Sequence, residues 1–195
     1  PFAIAADRLI ELLAKFNSEF GQQLPELDLG GGYGIAYLDN ESEIQASDVL
    51  GTLAKVVKDS CAKHSLSVPK ISIEPGRTIV GPSMFTLYTV GTTKVVTLEN
   101  ASTRNYVSVD GGMSDNLRTA LYGAEYTAVL ANRESTAKKI ATRIVGKHCE
   151  TGDIIIKDID FPADVIPGDL LATPATGAYG RSMATNYNHI SRPPV

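Results

Sequence analysis

The hydrophobic pattern predicts helices that alternate with short strands in the first part of the chain. Leucine and phenylalanine recur at helical spacing over residues 9–20, and charged residues occupy the other face. A second helix is predicted over residues 47–64, with Ser47 as its N-cap. Short strands are predicted at 27–29 and 71–73, and each runs into a loop. This order predicts a parallel α/β sheet, whose ligand loops lie at the carboxyl ends of the strands.

The pattern changes beyond Gly81 and Pro82, where helical spacing gives way to stretches rich in Val, Thr, Tyr and Phe. We therefore predict an α/β part over residues 1–82 and a mainly β domain over residues 83–195. Further short strands are separated by proline and glycine turns. The strands predicted in the second part are 84–98, 106–109, 154–156 and 170–172.

Composition narrows the classes of function. The 195 residues are 43% hydrophobic and 21% charged, which is typical of a globular protein, and the net charge of -4 gives no basic excess for nucleic acid or anionic membranes. Small molecules or protein partners are expected instead. Two cysteines without metal-ligand spacing predict a reducing compartment and no metal site. No apolar run is long enough for a membrane helix, so we predict a cytoplasmic protein.

Two strand-ending loops are candidates for binding a phosphate. Three glycines, Gly30 to Gly32, follow the first strand, and glycine lets the backbone approach an anion closely. A tight turn is the more common explanation for such a run alone, and the run is not a GxGxxG fingerprint. The second loop, Glu74 to Arg77, adds a guanidinium that can bind a phosphate or carboxylate. We expect loops on adjacent strands to converge.

Arg118 and Tyr122 are four residues apart after the turn at Asp110 to Gly112. On a helical turn they share a face and could hold one carboxylate, although such a pair is more often simply solvated.

Cys149 lies between His148 and Glu150, which makes it a candidate acid, because proteins tune cysteine thiols readily. A structural thiol is the default, and we assign it to Cys61. Tyr179 stands among small residues, where its hydroxyl could reach a phosphate or its ring could simply be packed.

Five motifs together resemble the diaminopimelate decarboxylases nearly from end to end. No single motif is diagnostic, but their shared order and spacing are specific. The resemblance implies an enzyme that uses pyridoxal 5'-phosphate, with an alanine-racemase-like (β/α)8 barrel followed by a β-barrel domain, and a homodimer with shared active sites. The motifs are Leu27–Gly32 (LDLGGG), Glu74–Arg77 (EPGR), Val109–Met113 (VDGGM), His148–Glu150 (HCE) and Thr176–Tyr179 (TGAY).

The resemblance also implies how the cofactor is held. Its phosphate would lie on the glycine loop and on the EPGR loop, and Tyr179 would contact both cofactor and substrate. The implied phosphate-binding residues are Gly32, Glu74, Pro75, Gly76 and Arg77.

For the substrate, the resemblance implies that a carboxylate is held by Arg77, Arg118 and Tyr122. Cys149 would donate the proton after decarboxylation, and Glu150 would recognise the distal amino group. Both would reach across the dimer. The implied reaction converts meso-2,6-diaminopimelate into L-lysine.

This chain departs from the family pattern in one respect. In the family, the lysine that forms the Schiff base with the cofactor and a histidine that stacks on the pyridine ring both lie in the N-terminal half. Neither residue has a counterpart in this chain. Lys55, Lys58 and Lys63 lie on the second predicted helix, away from the strand-end loops. Because Pro1 opens the chain and leads straight into a helix, we expect a segment of a longer enzyme that is inactive by itself.

Three alternatives remain. A related decarboxylase could act on ornithine, arginine or carboxynorspermidine, although those enzymes prefer aspartate after the cysteine, where this chain has Glu150. A non-catalytic relative could bind pyridoxal phosphate, or a barrel could bind a phosphosugar. Neither binding protein needs a proton donor such as Cys149.

Overall fold

Two parallel strands and two helices form the first part of the chain, in the predicted order. Residues 1–42 and 44–195 are described by the computed structural model. Strand β1 pairs in parallel with β2, with Glu26 opposite Lys70. The elements are α1 (Phe2–Phe20), β1 (Glu26–Gly31), α2 (Ala46–Lys63) and β2 (Lys70–Glu74).

The ends of the two helices follow from local chemistry, with one correction. Helix α1 stops because Gly21 adopts a left-handed conformation with φ of 65°, which glycine tolerates without strain. The predicted N-cap at Ser47 is wrong, because Gln45 is the N-cap and α2 begins at Ala46. Ser47 therefore lies inside the first turn.

The chain divides into two compact units, and the first comprises residues 1–35 and 42–78. Its core joins Ile10 and Leu13 of α1 to Leu53 and Val57 of α2. Not all of the apolar pattern in α1 is buried there: several of its leucine and phenylalanine side chains line a surface groove together with Leu27 of β1. The first unit thus carries more apolar surface than its own core covers.

The second unit comprises residues 36–41 and 79–195 and is built on a six-stranded sheet. The strand order is β5-β8-β3-β4-β6-β7, in which only the β4–β6 pair is parallel. Strands β5 and β6 were absent from the sequence prediction. The strands are β3 (Thr86–Thr97), β4 (Thr103–Val109), β5 (Val129–Leu130), β6 (Lys139–Val145), β7 (Ile154–Pro162) and β8 (Leu170–Thr173).

Strand β3 is long enough to pair with two strands of this sheet, β8 and β4. Thr86 to Thr89 pair with β8, and Val90 to Thr97 pair with β4, with a register shift between Val90 and Thr93. The buried core beneath it includes Val107, Ile144 and Leu171. Three segments that leave these strands carry predicted site residues: the segment after β4, the loop between β6 and β7, and the segment after β8. The sheet thereby fixes where each of these segments starts.

Short helices complete the second unit and the junction before it. They are α3 (Gly76–Val80), α4 (Arg118–Tyr122), α5 (Gly180–Met183) and a single 3-10 turn at Tyr187–His189. Within the described ranges, no helix is both long and apolar enough to span a bilayer. The cytoplasmic location and the domain boundary at residue 82 stay predictions.

Candidate functional site

The glycine loop at the end of β1 presents bare backbone. Gly30 and Gly32 have φ of 73° and 89°, and among the described residues other than the chain neighbours, no heavy atom lies within 4 Å of the position that a Cβ would take at either residue. At Gly31 the opposite holds, because a Cβ would overlap the backbone carbonyl oxygen of Glu74. The loop therefore needs glycine for dihedral angles at two positions and for close strand packing at the third.

Arg77 joins this loop to the end of β2. Its Nε–H donates to the carbonyl oxygen of Tyr33 at 3.1 Å, and Nη2 donates to that of Gly32 at 3.1 Å. The predicted loop over Glu74 to Arg77 is partly helical, since α3 begins at Gly76. The expected convergence of the two strand ends is confirmed within the first unit.

The geometry of the first unit fits a phosphate group. A guanidinium has five N–H donors. Within residues 1–42 and 44–195, the Arg77 side chain uses two of them, in its bonds to the carbonyl oxygens of Tyr33 and Gly32. The other donors remain for an anion. The open backbone at Gly30 and Gly32 gives that anion room. Glu74 ends β2 beside Gly31, and Pro75 connects it to α3, so both position the loop rather than fill it.

Arg118 lies inside a cage of tyrosine rings in the second unit. Its guanidinium carbon stands 4.9 Å from the ring centre of Tyr37, 5.9 Å from that of Tyr126 and 5.7 Å from that of Tyr179. Nη1 donates a 2.7 Å hydrogen bond to the Tyr126 hydroxyl. Burial raises the pKa of Tyr126, which keeps its hydroxyl neutral, and the cage holds the charged guanidinium in one orientation.

Tyr122 shares the short helix α4 with Arg118, as its spacing predicts. Its side chain is two-thirds exposed, and Arg118 bonds to Tyr126 rather than to Tyr122. A shared role in holding a carboxylate therefore stays a prediction. Tyr126 and Tyr37 were missed, because a tyrosine in a connecting segment carries no local mark that separates a cage residue from a core residue.

Tyr179 combines partial exposure with an uncommon backbone conformation. Its φ of 65° is in the left-handed region, which residues with a Cβ rarely adopt. The side chain is about half exposed and also faces the Arg118 guanidinium. Strain of this kind is often found at functional positions, and here it places the tyrosine ring beside the arginine.

Cys149 and Glu150 lie in the loop between β6 and β7. The thiol is exposed, whereas its neighbour His148 is buried, with Nε2 at 2.8 Å from the Ser114 hydroxyl. The Tyr187 hydroxyl donates to Glu150 Oε2 at 3.3 Å, and the nearby carboxylate raises the pKa of that tyrosine. The loop thus presents a thiol and a carboxylate side by side.

Cys61, by contrast, is buried in the core of the first unit, as predicted for a structural thiol. Burial raises its pKa, which leaves it protonated and unreactive. In the part of the chain that the structure describes, no group of three His, Cys, Asp or Glu side chains could hold a metal ion.

Comparisons with known proteins assign both parts of the chain to one family. Residues 1–81 match the pyridoxal binding domain of pyridoxal-dependent decarboxylases, and residues 82–177 match their C-terminal sheet domain. The diaminopimelate decarboxylase of Corynebacterium efficiens is 48% identical over 194 residues, which cover 100% of this chain and 42% of that protein. The Bacillus subtilis enzyme of the same name is 44% identical over 194 residues, which cover 100% and 43%.

Among solved structures, the chain resembles diaminopimelate decarboxylase from M. jannaschii in co-complex with L-lysine. The TM-score is 0.87 at 28% identity, and the match covers 99% of this chain and 42% of that one. The chain spans less than half the length of each of these relatives.

Proposed function

We propose, from the premise that this chain belongs to the pyridoxal-dependent decarboxylase family, that the protein carrying it converts meso-2,6-diaminopimelate into L-lysine and CO2. The observation that carries the proposal is the unbroken similarity to diaminopimelate decarboxylases, at 44 to 48% identity across all of this chain. The solved relative from M. jannaschii holds L-lysine, which is the product expected here.

Pyridoxal 5'-phosphate is the cofactor of this family, and the first unit supplies residues for its phosphate. Gly32 and Gly76 would offer backbone, Arg77 would offer charge, and Glu74 and Pro75 would shape the turn. The orientation of Arg77 by two backbone carbonyls supports this assignment. When bound, the cofactor supplies an electron sink that makes loss of CO2 from an amino acid feasible.

The substrate's carboxylate would be held by Arg77, Arg118 and Tyr122. A caged guanidinium loses little freedom when it binds an anion, so the tyrosines around Arg118 support a binding role. Glu150 would accept hydrogen bonds from the distal amino group, and Tyr179 would contact both substrate and cofactor.

Cys149 would complete the reaction by donating its thiol proton to the carbon that has lost CO2. A new C–H bond forms as the S–H bond breaks, and the thiolate then regains a proton from water. The exposure of this thiol and the burial of Cys61 support the choice between the two cysteines. A placed acid typically contributes about 100-fold or more to such a step.

The full protein would complete a (β/α)8 barrel around the β1–β2 pair and form a homodimer with shared active sites. Apolar surface left open on the first unit supports additional barrel elements, including a groove that Leu50 and Ile71 line. The lysine that binds the cofactor would come from the part of the relatives that this chain does not cover. Lys55, Lys58 and Lys63 are exposed on α2 and are not assigned that role.

The rival substrates are ornithine, arginine and carboxynorspermidine, and the rival without catalysis is a protein that only binds pyridoxal phosphate. A substrate panel separates these options. Efficient turnover of diaminopimelate with weak turnover of the other amino acids supports the proposal. Preference for ornithine or arginine would contradict it, and a bound cofactor without CO2 release would point to the binding protein.

The test of Cys149 uses the full-length protein that contains this chain. We expect Cys149→Ala to lower kcat for diaminopimelate about 100-fold, while the visible absorbance of the bound cofactor stays close to that of the wild type. Cys61→Ala is the matched control, and kcat per bound cofactor should be unchanged in it. Normal turnover in Cys149→Ala would refute the proton-donor role.

A further inference from the structure

The buried carboxylate of Asp153 anchors the loop that carries Cys149 and Glu150. Asp153 is only 3% exposed and stands at the loop's end, just before β7. Its Oδ2 accepts the backbone N–H of His148 at 2.7 Å, within the same loop. Its Oδ1 accepts the backbone N–H of Met113 at 2.6 Å, from the segment after β4. One side chain therefore ties the residue before Cys149 to a different connection of the sheet.

Glycine on both sides lets the backbone close in on this carboxylate. A Cβ at Gly112 would stand 2.6 Å from Asp153 Oδ1, and one at Gly146 would come closer still to the same carboxylate. Main-chain bonds reinforce the contact, because Gly146 N–H donates to the Asp153 carbonyl and Lys147 N–H donates to that of Gly111. Close enclosure of this kind leaves the loop little freedom to shift.

A second tie holds the side chain of His148. Its Nε2 lies 2.8 Å from the Ser114 hydroxyl, and both residues are buried. The main chain of His148 is thus bonded by Asp153 and its ring by Ser114. Since Cys149 and Glu150 follow directly, their positions are set by these two contacts.

Backbone N–H groups compensate the negative charge of Asp153. Over the described stretches of the chain it forms no ion pair with lysine, arginine or histidine, while its two oxygens accept N–H groups from different segments. Charged acceptors make stronger hydrogen bonds than neutral ones. An amide at this position could accept one of the two N–H groups but would turn an NH2 group toward the other.

We propose that Asp153 and Ser114 are positioning residues, which hold the Cys149–Glu150 loop where its thiol and carboxylate can act. The proposal rests on the proposed function, in which Cys149 delivers a proton and Glu150 recognises an amine. Neither positioning residue needs to touch the substrate. Both act through His148, and small displacements of a proton donor lower rates strongly.

The test compares Asp153→Asn with Asp160→Asn in the full-length protein. Asp160 is an exposed carboxylate on β7, so the control makes the same chemical change outside the loop. We expect kcat per bound cofactor to fall about 10- to 100-fold in Asp153→Asn, with unchanged cofactor absorbance and with no change in the control. Wild-type kcat in Asp153→Asn would overturn the proposal.

Two further readouts separate positioning from general destabilisation. Hydrogen exchange of the peptide over residues 146–153 should accelerate in Asp153→Asn and not in Asp160→Asn. Turnover in deuterated water should place deuterium in one configuration in the wild type and in a mixture in Asp153→Asn. A folded variant with slow exchange and a single configuration would overturn the proposal.

Ser114→Ala provides an independent variant if Asp153→Asn does not fold. This variant removes the hydrogen bond to the His148 ring and keeps the Asp153 carboxylate. We therefore expect kcat to fall, but by less than in Asp153→Asn. An unchanged kcat would overturn the proposal. Exchange of the loop does not depend on the substrate. Suppose that the wild type fails to decarboxylate diaminopimelate, while hydrogen exchange of the loop is still faster in the variants. The proposed function is then wrong, and the anchoring of the loop by Asp153 and Ser114 is still supported.

Discussion

Gly31→Ala tests whether the glycine loop is built for close packing as well as for an anion. A methyl group at residue 31 would meet the carbonyl oxygen of Glu74, which belongs to the backbone of the paired strand. A side chain could rotate away from such a contact, but a backbone carbonyl in a parallel pair cannot. The strands must therefore separate at the point where the cofactor phosphate is proposed to lie.

The size of the effect follows from the overlap. Ordinary contacts of a Cβ begin at 3.4 Å, and the added carbon would stand about 1 Å inside that distance. Overpacking of this kind typically costs about 1 to 3 kcal/mol, and we place Gly31→Ala near the upper end because backbone must move. A displaced loop should also weaken cofactor binding about tenfold, which corresponds to roughly 1.4 kcal/mol.

The assay measures urea unfolding of the full-length apoprotein and, separately, the dissociation constant for pyridoxal phosphate by absorbance. Gly51→Ala is the matched control, because Gly51 lies inside α2 and, apart from its own helix backbone and chain neighbours, no atom of the described residues lies within 4 Å of the added carbon. Alanine there should stabilise the protein by about 1 kcal/mol, since glycine is a poor helix former. Equal stability and equal cofactor affinity in Gly31→Ala and the wild type would refute the reasoning.

Two other predictions concern the second unit. Tyr126→Phe removes the hydrogen bond to Arg118 but keeps a ring in the cage, so we expect the KM for diaminopimelate to rise about tenfold with little change in kcat; an unchanged KM would contradict the positioning of Arg118. Asp169 is buried and bonded by Arg133, which holds the pKa of that carboxyl well below its usual range. The carboxylate therefore adds stability above pH of about 4, which is lost as pH falls through the lowered pKa. Asp169→Asn should flatten the acid side of a plot of Tm against pH, and an unaltered slope would argue against this linkage.

Local patterns were sufficient to predict most of the helices and strands. Helix α1 and strand β1 follow from residue spacing and from the glycines that end them, because these signals act between near neighbours in sequence. The glycine loop at the end of β1 was predicted for the same reason: three glycines after a strand are visible without any tertiary information. Its partner Arg77 was also found, since it follows the next strand directly.

Strand β6 was missed because its sequence is mixed. Lys139 and Arg143 interrupt the apolar alternation, and only Ile144 and Thr142 are deeply buried. Its pairing with β4 and β7 stabilises it, and that pairing is set by the sheet rather than by local propensity.

Residues that orient the site were the hardest to find. Tyr37 and Tyr126 reach Arg118 from different stretches of chain, and Asp153 binds Met113 across the sheet. Nothing in the local sequence marks a tyrosine or an aspartate for such a contact, because the contact exists only after folding. The neighbours of Cys149 in the sequence marked it only as a candidate acid, and its role as proton donor came from the family resemblance.

The surroundings of Arg118 also bear on how this protein can be recombined with its relatives. Tyr37 precedes the segment that matches the sheet domain, and Tyr179 follows its last matched residue. A chimaera that exchanges only residues 82–177 would give the transplanted arginine two rings from the recipient. Grafts between divergent family members should therefore carry residues 36–41 and the stretch through Tyr179 as one cassette.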